Sequence, residues 1–217
     1  PGRADVVAGG VRLIDGLEMG LRSGSRPGSR WWLWLSAVFI GGSFVGSWLP
    51  SATLDWQPDL AATEPWRAFS AAFVHWSLLH LGANLLAAVV VGALGAAAQM
   101  PRWQACAWLA AWPLTHLGLL LKPDLAHYGG LSGVLHAGVS VVCVWLLLQG
   151  RGARRALGAV VTLGLLIKIG SESPWGPALQ RSDEFDIAVA PIAHATGAAA
   201  GLFCGGLALI ASRWLGR

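Results

Sequence analysis

Runs of about 20 apolar residues recur along this chain, and a helix of that length is what crosses roughly 30 Å of hydrocarbon. Lipid offers no water to backbone N–H and C=O groups. Such a chain can therefore fold only as helices that close their own hydrogen bonds, or as a closed barrel. The alternating segments of about ten residues that mark a barrel are absent. Of the 217 residues, 55% are hydrophobic and 12% are charged, about half the charge of an ordinary soluble domain. The expected fold is all-α and polytopic, a bundle of six transmembrane helices near 31–49, 78–98, 103–121, 130–149, 153–170 and 191–213. Pro113 and His116 interrupt the third segment, and neighbouring helices can satisfy the backbone groups that such a proline frees. Many of the 13 tryptophans fall near segment ends, where interfacial anchors belong.

Residues 1–30, rich in Gly, Ser and Arg, read as a flexible cytoplasmic tail ahead of one membrane domain over 31–217. The chain opens on Pro1, with Met19 as an alternative start. The first apolar segment is followed by further spans, unlike a cleaved signal peptide. With the N-terminus inside, the inner loops and tails carry eleven cations: Arg3, Arg12, Arg22, Arg26, Arg30, Arg102, Arg151, Arg154, Arg155, Arg213 and Arg217. The outer side carries four, Arg67, Lys122, Lys168 and Arg181. Positive residues collect on the cytoplasmic side, so both termini are expected there, with the outer ends of the helices on the opposite face. The net charge of +4 thus reads as topology, and no basic face for nucleic acid is expected. Cys106, Cys143 and Cys204 lie scattered in apolar segments and suggest neither a disulfide framework nor a metal site. No His-Glu-x-x-His pattern exists, and no cofactor is expected. Two long outer stretches, 50–77 and 171–190, remain; loops of that length are often functional.

The polar residues converge on one end. The second, fourth and sixth segments all begin on the outer side. His75, His80 and Asn84 fall at the start of the second, Ser132 at the start of the fourth, and His194 at the start of the sixth, just after Pro191. Polar groups at membrane depth are costly unless they have partners or a task. A hydroxyl and an imidazole delivered to one depth point to a serine nucleophile with its general base. His80 and Asn84, four apart, share a helix face and can donate to an oxyanion, as can the backbone N–H of Ser132 at a helix N-terminus. No acid falls inside the apolar segments, so a dyad is expected rather than a triad. Gly129, Gly133 and Ala137 around Ser132, and Gly197 and Gly201 after His194, give the small-residue spacing that lets two helices approach closely. His116 reads as a packing residue and His127 as an exposed loop residue.

These residues in this order resemble the rhomboid family of intramembrane serine proteases. Glu64-Pro65-Trp66-Arg67-Ala68-Phe69, followed by His75, His80 and Asn84, is similar to the family's first outer loop and second helix. Gly130-Leu131-Ser132-Gly133 resembles its nucleophile motif, and Ala193-His194-x2-Gly197-x3-Gly201 its sixth helix. The resemblance implies a Ser132–His194 dyad, an oxyanion hole from His80 and Asn84, supporting roles for His75, Gly130, Gly133, Gly197 and Gly201, structural roles for Trp66 and Arg67, and a movable cap after the fifth segment. An aromatic residue often stands four after the serine in the family; here it is His136. The Ser-Gly-x-Leu-His pattern resembles the rhombosortase branch. That implies transmembrane substrates carrying a C-terminal Gly-Gly-type sorting segment, whose glycines weaken a helix by about 1 kcal/mol each relative to Ala.

Overall fold

Among the described residues six long helices occupy the six apolar segments: α1 (Pro27–Gly46), α2 (Leu78–Ala97), α3 (Arg102–Leu117), α4 (Ser132–Gln149), α5 (Ala153–Ser171) and α6 (Pro191–Leu215). The structure is a computed structural model that describes residues 27–181 and 186–215. Residues 1–26, including both alternative starts and most of the expected tail, lie outside the described residues.

Local chemistry sets the helix ends. Pro27 and Pro191 stand at first helical positions, where a missing N–H costs nothing and the fixed φ is already helical. Helix α1 therefore begins inside the stretch read as tail and ends at Gly46, short of the expected 49. Ser77 caps α2, its hydroxyl accepting the His80 backbone N–H at 3.0 Å, a bond that satisfies one orphan donor of the first turn. Pro113 does not break α3, which runs unbroken through it and then tightens into a 3₁₀ turn over Gly118–Leu121. Gly152, at φ +53°, turns the chain from α4 into α5 in a backbone region that glycine enters without steric cost.

Among the described residues three helices, α2, α4 and α6, are long and apolar enough to cross a membrane. Helix α3 has 16 residues, and α5 carries Arg154, Arg155 and Lys168 in its 19. Helix α4 is the central one. Of its apolar window 61% is buried inside the protein, against 39% for α2 and for α6, and it packs on α2, α3, α5 and α6. Its closest partner is α6. A Cβ on Gly197 would lie 2.0 Å from the Gly133 carbonyl oxygen, and one on Gly201 2.2 Å from that of Ala137. Backbone thus lies directly on backbone. The core beside this contact is aromatic: Trp32 stacks on Trp108 at 4.3 Å between ring centroids, and Phe39 fills the space between Trp108 and Trp112. Helix α5 is peripheral, with only Gly158 buried among its described residues.

The connections α2–α3 and α4–α5 are short; the other three are longer and lie at the opposite end, where α2, α4 and α6 begin. Within 50–77, read as a loop without regular structure, the chain forms short helical turns at Ser51–Leu54, Pro58–Leu60, Arg67–Ser70 and Ala71–Phe73. An antiparallel bridge ties Trp56 to Tyr128, with N–H···O distances of 2.7 and 2.9 Å. Between α5 and α6, β1 (Gln180–Arg181) pairs with β2 (Ala188–Val189), and the Ser77 hydroxyl donates to Asp186 Oδ1 at 2.7 Å. Exposed tryptophans ring both ends. Trp31, Trp34, Trp103 and Trp214 lie at the end with short connections, and Trp48, Trp66, Trp76 and Trp175 at the other.

The backbone contact predicts a contrast between two glycines of α6. Gly201→Ala pushes α4 and α6 apart and costs about 1–3 kcal/mol. An added methyl on Gly206 meets nothing within 4 Å, so Gly206→Ala is neutral or gains up to about 1 kcal/mol of helix propensity. Thermal unfolding of both variants in detergent measures the difference.

Candidate active site

Ser132 is the first residue of α4. The chain reaches it through Gly130, whose φ of +140° lies where side chains are strained. A Cβ on Gly130 would also meet the His80 ring at 2.9 Å. The Gly130 N–H is fixed to the Ala71 carbonyl oxygen at 2.9 Å, so the outer loop sets the approach to the serine. His194 stands in the first turn of α6. The close packing of α4 on α6 brings its Nε2 to 2.9 Å from Ser132 Oγ across 62 residues of sequence. Both face a cavity of about 590 Å³ that His80, Asn84 and His136 also line.

The surrounding groups take different positions. His136, one turn after Ser132, donates from Nδ1 to the Ser132 carbonyl oxygen at 2.8 Å. Its ring stacks on His194 at 4.1 Å and 13°. The Asn84 amide donates to the His80 carbonyl oxygen at 3.1 Å. An amide has two N–H donors, which leaves one for the cavity that Asn84 lines. His75 is not part of the cavity wall. It packs behind His80, ring centroids 4.9 Å apart, and donates from Nδ1 to the Phe73 carbonyl oxygen at 3.3 Å. Burial first, and His80 next, push His75 down to about 4 against the raising effect of that carbonyl, so it is neutral near pH 7. Burial likewise pushes the Tyr128 phenol up to about 12. Its hydroxyl donates to the Gly130 carbonyl oxygen at 3.3 Å.

The expectation of an imidazole without an acid needs correction. Glu172, the residue after α5, places Oε2 2.6 Å from His194 Nδ1, and Lys168 one turn earlier binds its other oxygen. Burial alone would raise this carboxyl. The hydrogen bond and charge of His194, followed by those of Lys168, outweigh it and hold Glu172 down to about 2. Its contribution to stability is therefore complete above the ordinary carboxylate range and is lost as pH falls toward 2. Acids sought only within apolar segments do not include Glu172, which lies two residues beyond the fifth. The readable signal was a Lys168-x3-Glu172 pair at the same end of the bundle as Ser132 and His194.

The remaining candidates lie in the outer loop or in the helix interior. Trp66 is half-exposed. Arg67 is buried, its Nη1 3.0 Å from Asp55 Oδ1 and its Nε 2.6 Å from Glu64 Oε2, and it also donates to the Ala52 and Asp55 carbonyl oxygens. His127, largely exposed, closes the knot from Nδ1 to Asp55 Oδ2 at 2.6 Å. His116 is buried, its Nδ1 donating to the Ala68 carbonyl oxygen at 2.6 Å.

A family model described as Rhomboid domain matches residues 62–211, a stretch that includes Arg67, α2 to α5, most of α6 and every residue lining the cavity. No curated protein matches the chain.

The Arg67 knot generates a stability prediction. Arg67→Met leaves the Asp55 carboxylate buried without its cation and costs about 3–5 kcal/mol, read as a fall in unfolding temperature in detergent. Arg67→Lys recovers only part of the loss, since a point charge cannot reproduce the forked contacts to Asp55 and Glu64.

Proposed function

The chain belongs to the rhomboid family of intramembrane serine proteases, a membrane-protein family, and from that membership we propose that it is an active endopeptidase using Ser132 and His194. The observation that carries the reading is the 2.9 Å hydrogen bond between Ser132 Oγ and His194 Nε2, made in a cavity that two helices supply with further donors. Relatives that have lost activity lack the serine or the histidine; here both are present and touching.

The geometry supports a specific sequence of proton transfers. His194 Nε2 takes the hydroxyl proton as Ser132 Oγ attacks the scissile carbonyl carbon. The carbonyl oxygen becomes an oxyanion. His80, the second Asn84 N–H and the Ser132 backbone N–H at the start of α4 stabilise it, the last aided by the helix dipole. The C–N bond then breaks, and the proton on Nε2 passes to the leaving amine. An acyl group remains on Oγ. Water attacks it with His194 again as base, releasing the new carboxylate and restoring the serine.

The substrate reading is narrower. The imidazole of His136 stacked on His194 supports assignment to the rhombosortase branch, with secreted proteins bearing a C-terminal glycine-rich motif, an apolar helix and a basic tail as substrates. The substrate helix approaches through lipid and unwinds at its glycines into the cavity beneath the strap between α5 and α6. In this reading all six long helices cross a bacterial inner membrane, both termini are cytoplasmic, and the site opens toward the periplasm. The distribution of eleven cations against four supports that orientation.

Purified protein mixed with a glycine-tailed transmembrane substrate tests both levels. Ser132→Ala and His194→Ala abolish cleavage while the unfolding temperature is retained, and mass spectrometry locates the new C-terminus. Cleavage by folded Ser132→Ala would remove the protease assignment. Replacing the substrate glycines by leucine lowers the rate at least about tenfold as the helix resists unwinding; equal rates would remove the branch assignment and leave a rhomboid protease of other specificity.

A further inference from the structure

An imidazole can accept the serine proton at Nε2 only when its hydrogen sits on Nδ1. Ser132 does not decide between these tautomers, because a hydroxyl both donates and accepts. Nor does His136, whose contact with His194 is face to face and exchanges no hydrogen bond through the ring nitrogens. The atom at Nδ1 decides, and here it is a carboxylate oxygen 2.6 Å away. A carboxylate accepts and does not donate, so Nδ1 must carry the hydrogen and Nε2 presents its lone pair to Ser132 Oγ. Glu172 is held for this task. Its side chain is 16% exposed, one oxygen is taken by His194, and the other by the Lys168 ammonium on the last turn of α5. Asp186, the other described carboxylate of the segment between α5 and α6, is engaged by Ser77 instead.

We propose that Glu172 is a positioning residue that completes a Ser132–His194–Glu172 triad, with Lys168 holding its carboxylate in place. This rests on the serine-protease reading and extends it. During attack the hydroxyl proton moves to His194 Nε2, giving an imidazolium whose charge Glu172 offsets without itself becoming protonated. On collapse that proton leaves with the amine, and Glu172 and Lys168 end as they began. The triad is assembled from the starts of α4 and α6 and the end of α5. The other titratable or charged groups facing it are His136 on α4, His80 on α2 and Arg181 on β1, none of which is an anion that could replace Glu172.

The test uses the full chain in detergent with a fluorogenic transmembrane substrate and compares wild type, Glu172→Gln, Glu172→Asp and Ser132→Ala. Glu172→Gln keeps the side chain's shape and can present an N–H to Nδ1, favouring the wrong tautomer. It lowers kcat by about 100-fold or more and leaves KM within about twofold. The acid limb of its kcat/KM profile moves about one pH unit toward acid as the imidazolium loses its anion. Glu172→Asp, which keeps the charge but withdraws it by one methylene, gives a kcat between the two. Folded Glu172→Gln with wild-type kcat and an unmoved acid limb overturns the proposal. So does a loss seen in KM alone. Should Glu172→Gln fail to fold, Glu172→Asp decides: reduced kcat at constant KM supports the triad, and wild-type kcat rejects it. Ser132→Ala separates the two levels, because its cleaving substrate would defeat the protease reading whatever Glu172 does.

Discussion

The contact of α4 with α6, backbone against backbone at Gly133–Gly197 and Ala137–Gly201, is the constraint on which the rest of the molecule depends. Hydrocarbon provides no hydrophobic drive to press helices together, so van der Waals contact between small residues must do it. At this separation the first turns of both helices lie within one hydrogen bond of each other, and the serine and histidine meet because they occupy those turns. Larger side chains at any of the four positions would push the helices apart and separate the serine from the histidine. The aromatic stack of Trp32, Trp108 and Phe39 packs beside this contact, with Trp108 lying against α4 at Gly138.

Two clusters of paired charge stand out among the described residues. Asp55 and Glu64 surround Arg67 in the outer loop, and Lys168 and His194 surround Glu172 at the cavity. A buried ion is tolerated only when its partner and its hydrogen bonds come with it. The two clusters serve different ends. The first folds a loop whose Ala71 and Trp56 hold the approach to Ser132. The second acts on the imidazole itself.

What could be read in the sequence follows the length scale of the signal. Apolar runs of about 20 residues gave the positions of all six long helices, since burial along that length overrides local exceptions such as Pro113 in α3. Ser132, His194, His80 and Asn84 were legible as a set because alternating helix direction brings the starts of α2, α4 and α6 to one end. The short turns within 50–77 were not, because three- or four-residue helices carry no 3.6-residue period. Nor was the Asp55–Arg67 pair, whose spacing of 12 residues belongs to no regular element. Glu172 was missed for a different reason. It ends a helix, and an acid just outside an apolar run looks like ordinary loop polarity until the third dimension turns it back onto His194.

The two girdles of exposed tryptophan, Trp31, Trp34, Trp103 and Trp214 at one end and Trp48, Trp66, Trp76 and Trp175 at the other, act as a ruler. Indole rings prefer the boundary between headgroup and acyl chain. With both boundaries marked on one rigid bundle, the protein cannot slide along the membrane normal to suit a thicker or thinner bilayer. The lipid must stretch or thin around it, at a fraction of a kcal/mol per Å of hydrophobic mismatch. The depth of Ser132 below the headgroups is therefore set by the protein itself and stays the same across membranes of different acyl-chain length.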